Sequence, residues 1–577
     1  MLLAEPTHHT ITGQQHSGYP HEASSNMATD FMSTLESEPI PLSARFAKLK
    51  RNMIACREKA VAESFYRLLR ELRAECDHIA SSGPDDIIPT IDYFDIHDGG
   101  KAAAFRKALR KRGVAVIRRV IPPTVTQAWR EETLDYLADN PHTRGYPPHD
   151  PQLFDLYWSP GQVRARADSR LLDAQRFAMG TWHASDEDAP VSTAHPVSYA
   201  DRLRIHAPGL GNNAGSGSGS LAIGPHIDNG SVERWEPDGY GAGGTYAPIF
   251  QGAWEAYDPW DSSPRLHITT DLYNRAGSCS MFRMFQGWLS LSPIAAGGRR
   301  ENNNNNSSSS SNDSNNGSFL VCPMLQLSTA YLLLRPFFTP RRDDPSAPDF
   351  LHPSNWNLNV SQTSILHGAV PGYVQELSGA LHPHLQLQRT MVSIPAVEPG
   401  DYVLWHPDVI HAIDTVHAAS PSSSGSDLGS NSAALYSSPP SFRLCSSSNS
   451  NSNCTSTPGA TVLYISACPL TQTNALYLSR QRRAFLLGLP APDFFESAGS
   501  AGERDHSGRP GVQDVADAGG EEGLRSMGLT PWEDDGRGGG FGISGRERDK
   551  DRELLRLANG ILFPDRFDGV LKRGGVR

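Results

Sequence analysis

Three tracts that cannot bury an apolar surface cut through this chain. They are "GNNAGSGSGS" at 211–220, "ENNNNNSSSSSNDSNNGS" at 301–318, and a Ser-rich stretch over 419–459. Segments of this composition cannot offset the conformational entropy of ordering, so they are expected as surface loop expansions. Insertions of this kind are tolerated at loop tips, so they mark where strand connections lie. Between and around them run short apolar segments bounded by Pro and Gly: "DRLRIHAPG", "SMFRMFQGWLSLSP", "STAYLLLRPFF", "TSILHGA", "RTMVSIPAV", "GDYVLWHPDVIHAI" and "ATVLYISACPL". In the first of these, Arg202, Arg204 and His206 alternate with Leu203 and Ile205, the period of a strand. Many short strands joined by turns predict an antiparallel sandwich or barrel.

The flanks read differently. Residues 1–40 mix Ser, Thr, His and Pro without periodicity and are expected as a disordered leader. Helical spacing follows, carried by Phe46, Met53, Ala60, Phe65, Leu68 and Leu72. A basic helix stopped by Gly113, a strand Val114–Ile117, a Pro-Pro break and a helix near Val125–Ala138 complete the lead-in. The expected organisation is a helical lead-in over 41–198, a β core over 199–480, and a tail over 481–577. In the tail, Leu554, Leu555, Leu557 and Ile561 predict a short docked amphipathic helix. The fold class expected is mainly β with helical flanks (α+β).

Bulk properties exclude several roles. In 577 residues the net charge is −11, which gives no electrostatic case for nucleic acid or an anionic membrane as partner. No apolar run approaches the ~20 residues that span a bilayer. Residues 1–20 have neither the basic start nor the apolar core of a secretory signal. The seven cysteines include no CxxC pair, which argues against a disulfide scaffold or a structural zinc site, so a reducing, cytoplasmic location is expected. No GxSxG, P-loop or GxGxxG stands in a strand-turn-helix setting, so acyl, phosphoryl and dinucleotide chemistry have no support.

The chemistry concentrates in "GPHIDNGSVERWEPDGY", residues 224–240. On a strand, His226 and Asp228 point the same way, and Asn229-Gly230 supplies a turn just beyond. Two histidines and one carboxylate with open positions suit non-haem Fe(II), and the net positive site suits a dianionic 2-oxo acid. An H-x-D pair alone is as compatible with a turn aspartate beside a hydrogen-bonded histidine. A second histidine is offered by "VEPGDYVLWHPDVIHAIDTVH", late in the β region, where a jelly roll brings a late strand beside an early one. His411, which follows the apolar pair Val409-Ile410, is preferred to His406, which precedes Pro407; His417 is more remote. His382 and His384 form a rival i, i+2 pair without an acidic partner. The "SVERWEPDGY" loop, with Glu233, Arg234, Trp235, Asp238 and Tyr240, reads either as a substrate-side loop or as a structured turn. Trp254, Tyr257 and Trp260 read first as core packing.

"HID" followed much later by "PGDYVLWHPDVIH" resembles the double-stranded β-helix Fe(II)/2-oxoglutarate dioxygenases, especially those similar to phytanoyl-CoA hydroxylase. More narrowly, "YADRLRIHAPG", "PHIDNGSVERWEPDGY", "FQGWLSLSP", "STAYLLLRPFF", "HGAVPGYVQEL", "PGDYVLWHPDVIHAI" and "YISACPLTQTNALYLSRQR" resemble a family of that superfamily known as domain of unknown function 1479. The resemblance covers roughly residues 45–565. It implies a jelly-roll, cupin-like core and a metal centre of His226, Asp228 and His411. It also implies Fe(II) and 2-oxoglutarate as cofactors, with molecular oxygen and a small organic molecule as substrates. The sequence departs from that pattern in one respect. The strand after the Ser-rich tract, "ATVLYISACPL", lacks the arginine that would grip the far carboxylate of 2-oxoglutarate, so another basic residue must do so. Arg335, alone in an apolar run, is the first choice, with a buried ion pair as its competing reading. Arg204, Arg283 and Arg389 follow. A metal-dependent isomerase or lyase of the same fold and a non-catalytic binding module remain the alternatives.

Overall fold

The computed structural model describes residues 39–146, 148, 151–205, 223–273, 278–296, 319–413, 460–494, 502–533 and 545–571. The three inserts, His206, His417 and all but the last two residues of the leader lie outside the described residues.

The helical stretch near the N-terminus is two helices, Arg45–Ile54 and Glu58–Ser81, broken where Cys56 takes a φ of 63°. The longer one buries Phe65, Leu68, Leu72 and Cys76 along one face, as its apolar spacing requires. The side chain of Asp98 accepts the amide hydrogens of Gly100 and Lys101 at the start of the helix Gly99–Arg112. Gly113 ends that helix at φ 76°, and a Cβ there would lie 2.7 Å from Val409, so only glycine satisfies both the turn and the contact.

The strand after it, Val114–Arg118, is built into the largest sheet. In spatial order that sheet holds Thr90–Asp92, Val114–Arg118, Tyr402–Trp405, Gln286–Ser290, Thr461–Tyr464, Leu203–Ile205, Leu153–Phe154 and Gly145–Tyr146. A second sheet holds Gln375–Glu376, Ile223–Ile227, His411–Ile413, Phe319–Val321 and Val392–Ser393, all antiparallel. Apart from Gln375–Glu376 and Val392–Ser393, which both follow Phe319–Val321 within the second sheet, the core strands alternate between the two: Leu203–Ile205, Gln286–Ser290, Tyr402–Trp405 and Thr461–Tyr464 in the first, Ile223–Ile227, Phe319–Val321 and His411–Ile413 in the second. Their inner faces meet through rings. The Phe319 ring lies 6.0 Å from Trp288 and 4.8 Å from Trp405, centroid to centroid.

Among the described residues the fold is therefore α+β with several open sheets and no closed barrel, and more helical than a mainly β reading predicts. Two segments account for much of the difference. "STAYLLLRPFF" belongs to a helix, Leu325–Leu334, with a tight turn at Arg335–Phe337. A continuous apolar run lacks the alternation that separates a buried strand from a buried helix, and burial on all sides suits either. The Gly/Asp/Glu-rich stretch of the tail contains the helix Val512–Ser526. Its glycines are packing devices: a Cβ at Gly519 or Gly523 would run into Ala167 of the helix Pro160–Ala167. The docked helix of the tail is found at Gly545–Leu562, with Leu554 and Leu555 buried. No helix among the described residues is long and apolar enough to cross a membrane.

Glu503 ties the tail to the core. Its buried carboxylate accepts the Tyr157 and Trp158 amides at 2.6 and 2.9 Å and the Tyr136 hydroxyl at 3.2 Å. Burial pushes its carboxyl from 4.5 up to about 7, those hydrogen bonds only partly opposing the shift. A folded-state value raised above the unfolded one gives a contribution fully present below the unfolded value and lost as pH rises through 7. In urea titrations between pH 4.5 and 7, Glu503→Gln should flatten the pH dependence by up to about 1.4 kcal/mol per pH unit.

Candidate metal centre

His226 sits on the strand Ile223–Ile227 and pairs directly with His411, the first residue of its neighbour His411–Ile413. Residues opposite each other in adjacent strands project from the same face, so register alone brings the two rings together, 4.2 Å between centroids. Asp228 follows immediately beyond the strand end, where Asn229 (φ 60°) and Gly230 (φ 96°) turn the chain through a left-handed pair that Asn and Gly tolerate best. Its Oδ1 lies 3.6 Å from Nε2 of His226, and its Oδ2 lies 3.4 Å from Nε2 of His411. Among the described residues these three alone form a group of His, Cys, Asp or Glu whose ligand atoms all lie within 4.8 Å of one another.

The remaining ring nitrogens are spoken for. Nδ1 of His226 donates to the Gly224 carbonyl at 2.8 Å, and Nδ1 of His411 donates to the Val409 carbonyl at 3.1 Å. With Nδ1 so engaged, both Nε2 atoms face Asp228, and any proton that a ring shares with the carboxylate is what a metal would replace. Burial, with the charge of His411 adding to it, pushes the His226 imidazole down to about 4, the neutral form a metal requires. Burial pushes the Asp228 carboxyl up. The His411 hydrogen bond and the charges of His226, His411 and Arg283 outweigh it and hold the group well below the usual range. Gln286 donates to Asp228 Oδ2 at 3.0 Å. Donor atoms each about 2.1 Å from one ion lie roughly 3.0–3.4 Å apart, so two neutral nitrogens and one carboxylate fit a divalent transition metal here.

Behind the trio lies a clamp that the sequence alone does not reveal. The buried carboxylate of Asp408 accepts from Arg234 at 2.7 Å, Arg265 at 2.6 Å, Tyr246 at 2.9 Å and Tyr257 at 3.2 Å. The same Arg234 donates to the Asp228 carbonyl at 2.8 Å. The chain that carries Asp228 is thereby tied to the turn that leads into His411. His406 belongs to this support: its ring donates from Nε2 to the Pro259 carbonyl at 2.9 Å, accepts the Asp408 amide at 3.0 Å, and stacks on Trp182.

The "SVERWEPDGY" loop is a structured turn facing inward: Glu233 accepts the Ser231 amide, Trp235 donates to the Leu333 carbonyl, and Tyr240 donates to the Asn229 carbonyl. Tyr257 and Trp260 likewise pack and hydrogen-bond within the core. His382 and His384 are buried in the body, His384 among the rings of Phe65, Tyr331 and Trp356.

The basic residues distribute unevenly. Arg335, at the end of its helix, donates to the Leu381 and Phe338 carbonyls at 3.0 and 2.9 Å and lies over the Trp356 ring, so its guanidinium is used as a helix-end staple. Arg389 pairs with Asp77 at the surface. Arg283 donates to the Asn229 side chain, beside the trio. Arg204 is buried between the sheets. Trp288 points at the second sheet, Tyr464 stands opposite Trp288, and Arg204 stands opposite Val462, so all four share the inner face. The Arg204 guanidinium is hydrogen-bonded to Tyr464.

A family model described as Gig2-like matches residues 40–299 and 306–529. Over 400 residues the chain is 29% identical to "Uncharacterized protein YbiU" of Escherichia coli (strain K12), covering 67% of this chain and 83% of that one. Among solved structures, GlcNAc Inducible Gene 2, GIG2 (DUF1479), from Candida albicans superposes with a TM-score of 0.68 at 25% identity, over 93% of this chain and 100% of that one. The "Putative Oxidoreductase" of Salmonella typhimurium LT2 does so with a TM-score of 0.61 at 25% identity, over 86% of this chain and 100% of that one.

Proposed function

The chain belongs to the Gig2-like family, the family known as DUF1479, and from that starting point we propose that it is an Fe(II)/2-oxoglutarate-dependent oxygenase of a small organic molecule. The observation that carries this reading is the buried His226–Asp228–His411 trio, with both Nε2 atoms turned toward the carboxylate. Three protein donors leave positions for a bidentate 2-oxo acid and for oxygen, the arrangement such chemistry needs. The fold proposed with it is the double-stranded β-helix. The alternation of core strands between two facing sheets supports this, as does the pairing of an early strand with a late one at the trio.

Fe(II) held there supplies oxygen activation coupled to decarboxylation of 2-oxoglutarate to succinate and carbon dioxide. The chain's own residues position and exclude. His226, Asp228 and His411 would hold the ion, the two histidines on a paired strand ladder, while Gln286 fixes the Asp228 carboxylate and the Asp408 clamp ties the two ligand-bearing segments together. Trp288, Phe319 and Trp405 wall the interior against water. Arg204, with Tyr464 beside it, is placed to take the far carboxylate of 2-oxoglutarate. It stands opposite Val462, on the strand adjoining the one in which the resembling dioxygenases carry their arginine.

The test is an anaerobic titration of metal-free protein with Fe(II) and then 2-oxoglutarate, following the visible charge-transfer band of the chelate. The band is expected with the wild-type protein. Arg204→Ala should raise the 2-oxoglutarate concentration for half-formation about tenfold or more, the effect of removing one partner of a buried charged contact. Iron binding without the band would replace this reading with a metal-dependent isomerase or lyase. No iron binding at all would leave a binding module.

A further inference from the structure

Resting on the oxygenase reading, we infer that the cavity beside Arg283 is the substrate pocket and that it takes a small polyhydroxylated carboxylic acid. The cavity measures about 250 Å3, and its wall includes Asn229, Asp271, Arg283, Thr269 and Thr473. Two of its lining residues lead toward the metal centre: Asn229 directly follows Asp228 in the chain, and Arg283, bonded to Asn229, acts on the Asp228 carboxylate through space. At about 250 Å3 the space falls below the range of drug-sized pockets and suits a molecule of roughly a dozen non-hydrogen atoms.

The charge in this wall comes from Arg283. Its side chain is 8% exposed, one Nη donates to Asn229, and its plane stacks over the Tyr199 ring. Its Nε makes no hydrogen bond among the described residues. Asp228 and Asp201 act on it through space, and neither is bonded to it. A buried guanidinium with no bonded carboxylate is costly unless an anion completes it, and a carboxylate is the planar partner its fork fits. Arg265 also borders the cavity, but its charge is already met by the buried Asp408 carboxylate, which its Nη2 contacts at 2.6 Å. The pocket therefore offers one strong anion site.

The rest of the wall asks for hydroxyls. Thr269, Thr270, Ser280, Thr471 and Thr473 bring side-chain hydroxyls to the cavity. Some keep an internal bond and still have capacity to spare: Thr471 accepts the Asn474 amide and retains its hydrogen, while Ser280 donates to Asp493, accepts from Arg480 and keeps one lone pair. Asp271 adds an acceptor that rejects a second acid group and favours an alcohol. Met281 and Phe282 give the carbon chain an apolar side.

The probe is D-gluconate, titrated anaerobically into protein loaded with Fe(II) and 2-oxoglutarate while the chelate band is followed. Sorbitol, which keeps the hydroxyls without the charge, and hexanoate, which keeps the charge without the hydroxyls, serve as comparisons. Gluconate is expected to shift the band saturably, with each comparison at least tenfold weaker. Arg283→Ala should weaken gluconate at least tenfold while the chelate band itself still forms, and Thr473→Val, a milder change in the same wall, should weaken it measurably. Equal responses to all three probes, or no response to gluconate, would overturn the assignment. Loss of the chelate band in Arg283→Ala would overturn it too, by moving Arg283 to the co-substrate. If the wild-type band never forms, the oxygenase reading has failed on its own account. Calorimetric titration of the metal-free protein with gluconate then still reads the pocket, and absence of binding there overturns the assignment.

Discussion

His411→Ala is expected to lose iron altogether: after anaerobic loading and desalting, metal analysis should find less than about a tenth of the wild-type content. Changes one shell behind a metal ligand cost about 10–100-fold in affinity, and removing a ligand from a set of three should exceed that. Among the described residues no neighbour can take its place, because the remaining donors close by are His226 and Asp228, which already belong to the set. The exposed His352, replaced by alanine, should retain iron and shows that the loss is local. Retention of iron by His411→Ala would mean that the buried trio is a hydrogen-bonded cluster and nothing more.

Asp408→Ala should destabilise the fold by about 3–5 kcal/mol in urea titrations, because it strands two buried guanidiniums, Arg234 and Arg265, without their shared counter-charge. Burial pushes the Asp408 carboxyl up, and Arg265 with Arg234 more than reverse this, holding it well below the ordinary carboxylate range. A depressed folded-state value means that its contribution is present at neutral pH and is lost only as the pH falls into strong acid. The same variant should weaken Fe(II) binding, since Arg234 loses the anchor from which it holds the Asp228 carbonyl. A variant as stable as the wild type would show that the clamp carries no net energy.

The meeting of His226, Asp228 and His411 was legible because it depends on local rules. Period two sets His226 beside Asp228, an Asn-Gly pair demands a turn, and a histidine after an apolar pair reads as a strand residue rather than a Pro-bound turn. The segment that carries Arg335 was read as a strand and is a helix, because "STAYLLLRPFF" is apolar without a period and its residues declare burial but not helix or strand. The clamp was hidden for a different reason. Asp408 meets Arg234 and Arg265 only after the sheets assemble, and nothing in "ERW" or "HPD" distinguishes an inward arginine from one lining a substrate pocket. Tail glycines such as Gly519 and Gly523 read as breakers, although the close approach to Ala167 is what requires them.

The interleaving of the two sheets also governs how the chain can fold. Val114 pairs with Trp405 in the larger and His226 with His411 in the smaller, so the central ladders join segments far apart in sequence. Contacts of such separation raise contact order and slow folding, because loop closure must come before any ladder repays it. No local hairpin can serve as a nucleus for the site. Iron therefore has no preformed cradle until the late strand docks, and metal capture belongs to the end of folding rather than its beginning.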